Sequence, residues 1–160
     1  MTNPRVALFV IDMQETYVGK SNKYGYESDL LLTAVNARIR KAKAVGELVI
    51  YIKNVATRKN GEFIPELATG LEMVSHQIIE KRAASVFSNP LLVEILNANK
   101  VTHIEVVGVD GNCCVASSAL DAAKAGYSVT FPLHCIGIRN MQRFQKTQQR
   151  LTEKGIAVVD

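Results

Sequence analysis

The stretch VVGVDGNCCVASSALDAAKAGYSV, residues 106–129, decides the fold of this chain. An apolar, strand-like run ends near Gly108, and the turn residues 110–112 follow it. A run of small residues at helical spacing then begins at residue 113 and stops before Gly126, where another apolar run starts. A strand, a helix and a second strand in this order form the repeating unit of parallel α/β sheets. The stretch therefore predicts a parallel sheet covered by helices.

The same alternation continues along the whole chain. Residues 5–11 and 47–53 each contain an unbroken apolar run, which is typical of strands buried on both faces, whereas residues 54–76 are less regular. The sequence predicts a single domain over residues 1–160 with a three-layer, doubly wound α/β fold. The predicted strands are 5–11, 47–53, 77–81, 102–108, 127–132 and 155–159, and the predicted helices are 28–45, 90–98, 113–125 and 139–153.

Composition and charge argue against several classes of protein. The 19 basic and 15 acidic side chains give a net charge of +4, and no basic–aromatic interleaving indicates a nucleic-acid partner. No apolar run approaches the roughly 18 residues of a membrane span, so we expect no membrane partner. The three cysteines have no metal-like spacing and no secretory leader pattern precedes them, which indicates a reducing, cytoplasmic setting.

Cys114 is a candidate nucleophile because of its place in the first turn of a predicted helix. Backbone N–H groups are unpaired there and carry partial positive charge. That setting stabilises a thiolate and lowers the pKa of a cysteine, and a strand–turn–helix that presents a nucleophile over backbone donors is typical of acyl-transfer sites. Taken alone, a cysteine such as Cys114 is more often a small buried apolar residue than a nucleophile.

Asp12 and Lys81 are expected near Cys114. Asp12 ends the first predicted strand and Lys81 ends the third, and ligand sites in such sheets lie at the carboxyl ends of the strands. Each residue alone has an ordinary structural explanation, as a capping or salt-bridged carboxylate and as a solvated lysine. Their convergence at one edge of the sheet favours a functional group of three.

Three segments resemble the signature segments of the isochorismatase-like cysteine hydrolases, a superfamily that includes nicotinamidases, carbamoylases and related amidases. They are VIDMQ (10–14), KRAASVF (81–87) and GVDGNCCV (108–115). The resemblance implies a six-stranded, mostly parallel sheet of order 3-2-1-4-5-6. It also implies a catalytic triad of Asp12, Lys81 and Cys114.

The resemblance further implies how the site would work. The backbone N–H groups of Asp110 and Cys114 would form an oxyanion hole, next to a cis peptide bond between Val109 and Asp110. Asp12 would move the proton while Cys114 forms a thioester. Cys113 is expected to be a small buried neighbour. Three further residues are expected to line the substrate pocket, with ordinary core packing as the alternative for the two aromatic ones: Gln14, Tyr17 and Phe87.

Two departures from the superfamily pattern refine these expectations. Nicotinamidase-type members carry a metal-binding Asp and His just after the second strand, where this chain has Lys53-Asn54-Val55-Ala56; we therefore predict no metal and no other cofactor. Gly111 and Asn112 replace the usual Thr and Asp, which questions how rigidly the oxyanion hole is held.

The resulting hypothesis is a metal-independent cysteine hydrolase that cleaves a small amide or carbamoyl substrate. A thiol suits acyl transfer and has no role in vinyl-ether hydrolysis. An isochorismatase-type, non-amide hydrolase and a catalytically silent binding protein of the same fold are the alternatives. The partners expected from the superfamily are a small-molecule substrate and further copies of the chain, as a dimer or larger homo-oligomer.

Overall fold

The computed structural model describes residues 3–20, 22–56 and 64–160. The strands are β1 (Val6–Ile11), β2 (Leu48–Asn54), β3 (Ile78–Lys81), β4 (His103–Val109), β5 (Ser128–Pro132), β6 (Ile136–Gly137) and β7 (Ala157–Val159). The α-helices are α1 (Glu15–Val18), α2 (Ser28–Val45), α3 (Leu91–Ala98), α4 (Cys114–Lys124) and α5 (Met141–Glu153). Short 3₁₀ turns cover Val86–Ser88 and Leu133–Cys135.

The strands form a parallel, doubly wound sheet. Its order is β3-β2-β1-β4-β5-β7, and each neighbouring pair runs parallel. This path is the predicted order 3-2-1-4-5-6, because β7 is the sixth strand that the sequence predicts. The α/β fold class is thereby confirmed.

The described residues contain seven strands. The predicted count of six is wrong, because it leaves out the short strand β6. β5 pairs with β4 over His103–Glu105, which leaves the last residues of β4 without a partner on that side. Backbone N–H and C=O groups in a buried position need partners. Ile136 and Gly137 fill the place by pairing with Gly108 and Val109, a requirement that no local pattern reveals.

Helices cover both faces of the sheet, which explains why the central strand β1 is apolar at every position. Along β1, Ala7, Phe9 and Ile11 pack into one core, and Leu8 and Val10 pack into the other. The helix α2 covers the second face, whereas α3, α4 and α5 cover the first. Among the described residues, no helix has the length and apolar content needed to cross a bilayer.

A close approach between β1 and β4 brings the ends of these strands together. Gly108 pairs with Ile11 and has a φ of 117°. A Cβ atom at this position would lie 2.0 Å from the Ile11 carbonyl oxygen, a distance that no side chain tolerates. Glycine at 108 therefore lets the segment that follows β4 lie directly beside the segment that follows β1.

Candidate active site

Asp12, Lys81 and Cys114 meet at the carboxyl edge of the sheet. The Lys81 Nζ atom lies 3.1 Å from the Asp12 Oδ2 atom and 3.3 Å from the Cys114 Sγ atom. Asp12 and Lys81 are each 2% exposed. The three residues that the sequence places at strand ends are thus within hydrogen-bond distance of one another.

Asp12 is held by its backbone directly after β1. Its φ of 55° lies in the left-handed region, which is uncommon for residues other than glycine but accessible to aspartate. The Asp12 N–H donates to the Ile52 carbonyl of β2 at 3.0 Å. This turn directs the carboxylate toward Lys81.

Two hydrogen bonds hold Lys81 in place, one at the end of β3 and one in the loop that follows it. The Val55 N–H donates to the Lys81 carbonyl at 2.8 Å, which joins the ends of β2 and β3. The loop after Lys81 is attached to α4, because the Val86 N–H donates to the buried Ser118 hydroxyl at 3.1 Å. These hydrogen bonds therefore fix the position of Lys81 relative to α4, the helix that begins at Cys114.

The Cys114 thiol has a raised pKa, and the expectation of a lowered pKa is wrong. Burial raises the pKa of Cys114 to about 12, and the nearby Asp12 carboxylate and its hydrogen bond to the thiol act in the same direction, against the opposing influence of Lys81. Desolvation and the Asp12 carboxylate penalise a thiolate more here than the Lys81 ammonium favours it. At neutral pH the thiol is therefore protonated, beside an ion pair of Asp12 and Lys81.

The buried ion pair has no strong structural justification. Removing two charges from water costs several kcal/mol per ion, and apolar residues of similar shape often stabilise a core as well or better. Charged groups whose environment perturbs a neighbouring pKa cluster at functional sites. The Asp12–Lys81 pair is therefore a candidate for a functional role.

The turn that precedes Cys114 is held by the Asp110 carboxylate. Its Oδ1 atom accepts from the Asn112 N–H at 2.7 Å, and its Oδ2 atom accepts from the Tyr26 hydroxyl at 2.9 Å and from the Arg139 N–H at 3.0 Å. Burial and Asp110 raise the pKa of Tyr26, so its hydroxyl remains a donor. The peptide bond between Val109 and Asp110 is cis.

The departure from the superfamily pattern at Gly111 and Asn112 is accommodated in this turn. Gly111 lies against Ile138, whose Cγ1 atom would be 2.6 Å from an added Cβ atom. The Asn112 side chain accepts from the Thr147 hydroxyl at 2.7 Å and donates to the Asn140 carbonyl at 3.0 Å. The start of α5 therefore holds the turn, although the usual Thr and Asp are missing.

A cavity of about 700 Å³ opens over the thiol. Cys113 lines it and is exposed, so the expectation of a buried Cys113 is wrong. Cys113 precedes α4 as its N-cap residue, outside the helical spacing that would turn its side chain to the core. The described residues of the cavity lining are Asp12, Tyr17, Tyr24, Gly25, Tyr26, Asn54, Val109, Asp110, Asn112, Cys113, Cys114, Ile138, Arg139, Asn140 and Arg143.

Of the three residues expected in the pocket, Tyr17 lines this cavity. Gln14 is fully buried and acts as a clamp: its Nε2 atom donates to the Asn54 and Pro65 carbonyls at 3.0 and 2.7 Å. Phe87 packs in the core, with its ring centroid 6.3 Å from that of Phe9. Gln14 and Phe87 are therefore structural, the first because it satisfies buried carbonyls and the second because its ring completes an apolar cluster.

Sequence reasoning missed the far side of the cavity. Tyr24 and Tyr26 lie between α1 and α2, and Arg139 and Arg143 lie at the start of α5. The rule that loops at strand carboxyl ends form the site could have drawn attention to both segments. Their residue types alone gave no signal, because tyrosines and arginines are ordinary at such positions.

The described residues do not fit a metal site of the nicotinamidase type. Asn54, the last residue of β2, uses its side chain within the protein, donating to the Tyr17 hydroxyl at 2.9 Å and accepting from the Ala56 N–H at 3.0 Å. In residues 3–20, 22–56 and 64–160, no group of three or more His, Cys, Asp or Glu side chains could hold a metal ion.

Comparison with known proteins agrees with this geometry. The family model of the isochorismatase domain matches residues 6–160. The chain is 26% identical over 140 residues to streptothricin hydrolase from Streptomyces noursei, covering 81% of this chain and 53% of that protein. It is 33% identical over 86 residues to YaaI, an uncharacterized isochorismatase family protein from Bacillus subtilis (strain 168), covering 53% of this chain and 48% of that protein.

The chain thus spans about half the length of these two relatives. A solved structure matches over nearly its full length. The crystal structure of pyrazinamidase from Pyrococcus horikoshii in complex with zinc is 26% identical and superposes with a TM-score of 0.76, covering 98% of this chain and 99% of that one. The family match over residues 6–160 establishes that the chain belongs to the isochorismatase family.

Proposed function

We propose that this protein is a metal-independent cysteine hydrolase that cleaves the C–N bond of a small amide or carbamoyl compound through a thioester on Cys114. One observation carries the proposal. The buried Lys81 ammonium contacts both the Asp12 carboxylate and the Cys114 sulfur, at 3.1 and 3.3 Å, beside a cavity of small-molecule size.

In the first step, Cys114 attacks the substrate carbonyl carbon. Because the thiol is protonated in the resting protein, its proton passes to Asp12 as the C–S bond forms. The carbonyl π electrons move to the oxygen, and the backbone N–H groups of Asp110 and Cys114 stabilise the oxyanion. Each such donor is worth about 3–4 kcal/mol in the transition state.

In the second step, the tetrahedral intermediate collapses and the C–N bond breaks. Asp12 returns the proton to the leaving nitrogen, which departs as ammonia or an amine. Water then attacks the thioester while Asp12 takes one of its protons, and the sulfur leaves and is reprotonated. The overall reaction adds one water to the amide and yields an acid and an amine, while Lys81 balances the charge on Asp12 and sulfur throughout.

The choice of C–N cleavage rests on the nucleophile and on the relatives. A thiol forms acyl intermediates and contributes nothing to vinyl-ether hydrolysis, which disfavours the isochorismatase reaction. Two of the proteins that this chain resembles are named a streptothricin hydrolase and a pyrazinamidase. Their names support hydrolysis, and the geometry of the site in this chain supports the proposed roles of Asp12, Lys81 and Cys114.

The test is a screen of small primary amides and ureas for ammonia release, with purified protein treated with a chelator. We expect the wild type to hydrolyse at least one compound and Cys114→Ala to lose turnover. Cys113→Ala is the matched control, because it removes a neighbouring thiol in the same cavity. Turnover retained by Cys114→Ala would overturn the mechanism, and no turnover on any compound would favour the silent binding protein.

A further inference from the structure

The cavity over Cys114 carries uneven charge. Its described lining contains the carboxylates of Asp12 and Asp110 and the guanidinium groups of Arg139 and Arg143. The Asp12 charge is already balanced by Lys81 at 3.1 Å. The rest of the described lining therefore carries one carboxylate, Asp110, and two guanidinium groups.

The remaining carboxylate is turned toward the protein. Both Asp110 oxygens accept hydrogen bonds from protein donors, at distances between 2.7 and 3.0 Å. One of these donors is the backbone N–H of Arg139, so the Arg139 side chain is left for other contacts. Asp110 thus organises the turn before Cys114 and leaves a positive excess on the cavity side.

The neutral polar groups of the lining are also committed. Asn112 bonds to Thr147 and to the Asn140 carbonyl. The Asn140 Oδ1 atom accepts from the Arg143 N–H at 2.9 Å, and Asn54 bonds to Tyr17 and Ala56. The strongest donors still free to bind a ligand are therefore the guanidinium groups.

The two guanidinium groups are placed for an external anion. The Arg139 Cζ atom lies 5.0 Å from the centroid of the Tyr24 ring, a cation–π contact that restrains the side chain without neutralising its charge. Within the described ranges, neither Arg139 nor Arg143 forms an ion pair. A planar guanidinium presents parallel donors that match a carboxylate.

Building on the proposed hydrolase, we propose that its substrate is an anion: an amide or ureido compound with a free carboxylate, which Arg139 and Arg143 bind while Cys114 attacks the C–N carbonyl. The carboxylate takes no part in the bond changes and stays on the acyl or amine product. Its role is to hold the scissile carbonyl over the thiol. The proposal predicts discrimination against neutral amides of the same length.

A binding experiment tests this without turnover. Cys114→Ala protein is titrated by calorimetry with the monoamides of straight-chain dicarboxylic acids with one to four methylenes, and with the corresponding neutral diamides. At the chain length that binds most tightly, we expect the monoamide to bind about tenfold more tightly than the corresponding neutral diamide. The preference should shrink as sodium chloride is raised from 50 to 500 mM, because Arg139 and Arg143 are exposed and salt screens exposed charges. Equal binding of both series at every chain length would overturn the proposal.

Substitution of the arginines localises the effect. In the Cys114→Ala background, Arg139→Gln and Arg143→Gln should each reduce the anion preference about threefold to tenfold, and the double variant should abolish it. Arg150→Gln is the matched control, because Arg150 lies on the same helix outside the described lining. Thermal unfolding checks that the variants are folded. We expect Arg143→Gln to keep its stability, because Arg143 lies in the first turn of α5, where a positive charge gains nothing from the helix dipole.

Turnover by protein that retains Cys114 separates this proposal from the proposed function. If neutral diamides are hydrolysed with the same kcat/KM as the monoamides, the hydrolase stands and the anion preference is wrong. If no compound is hydrolysed but the monoamides bind with the expected dependence on Arg139 and Arg143, the anion site stands and the hydrolase is wrong.

Discussion

Cys114 and Cys135 are two thiols beside charged groups, and they differ in what surrounds them. Burial raises the pKa of both, to about 12 and about 11, and a carboxylate adds to the effect in each case, Asp12 for Cys114 and Glu105 for Cys135. Cys114 lines an open cavity and contacts Lys81. Cys135 is fully buried, and its thiol donates to the Ala34 carbonyl at 3.7 Å.

The comparison shows that a charged neighbour does not make a nucleophile. Near Cys135, Arg38 forms ion pairs with Glu47 and Glu105, which join α2 to the sheet. Near Cys114, the ion pair contacts the sulfur itself, and space for a substrate lies beside it. In the proposed mechanism, access and a proton acceptor in contact with the thiol distinguish Cys114 from Cys135.

The largest expected difference in kcat/KM is between variants of the two carboxylates that lie beside the thiols, Asp12 and Glu105. Asp12→Asn should lower kcat/KM by about 100- to 10,000-fold, because the proton acceptor is lost while the shape is kept. Glu105→Gln makes the same chemical change next to Cys135. It should leave kcat/KM nearly unchanged and lower the free energy of unfolding by about 1–3 kcal/mol.

Steady-state kinetics and urea unfolding of both variants make this check. Circular dichroism at the assay temperature confirms that Asp12→Asn is folded, since this change leaves the Lys81 ammonium buried without its partner. Comparable activity in Asp12→Asn and wild type would remove Asp12 from the mechanism.

Alkylation as a function of pH sharpens the contrast between the thiols. In a Cys113→Ala background, iodoacetamide should label Cys114 slowly at pH 7 and about 100-fold faster at pH 9, since the thiolate fraction rises tenfold per pH unit below the pKa. A free cysteine levels off near its pKa of about 8.5. Cys135 should stay unlabelled while the protein is folded. A Cys114 rate that levels off below pH 9 would show that its pKa is not raised.

A smaller effect is expected from Tyr26, which positions the turn before Cys114. Tyr26→Phe removes the hydrogen bond to Asp110 but not the backbone N–H of the oxyanion hole. We therefore expect kcat to fall about tenfold, less than the loss of an oxyanion donor itself, with KM changed less than kcat. Tyr51→Phe is the control, since its hydroxyl donates to the Glu72 carbonyl at 2.6 Å in the packed region. Equal kcat in both variants would argue against a positioning role.

The sequence predicted the parts of the fold that depend on continuous patterns. The apolar runs before Asp12 and Asn54 could be placed because strands buried on both faces need apolar side chains at every position. Asp12, Lys81 and Cys114 could be brought together because parallel strands end at one edge of the sheet. The strand β6 could not, because it exists only to pair the end of β4.

The properties of single side chains in the site were harder to predict. The pKa of Cys114 depends on its depth and on its distance from Asp12, and neither follows from a helix start. Cys113 was misplaced because it precedes α4 and does not share the core-facing side of that helix, whereas Phe87 takes the core packing that was its alternative. Arg139 and Arg143 were missed because only the folded chain brings the start of α5 to the cavity.

The most direct test of the central claim is a single-turnover experiment with a primary amide that the protein hydrolyses. Enzyme in excess over substrate is quenched with acid at successive times, and its peptides are weighed by mass spectrometry. We expect the peptide that contains Cys114 to gain the mass of the acyl group and then to lose it, while Cys135 stays unmodified. Consumption of the amide with no such adduct on Cys114, or with the adduct on another residue, would contradict it.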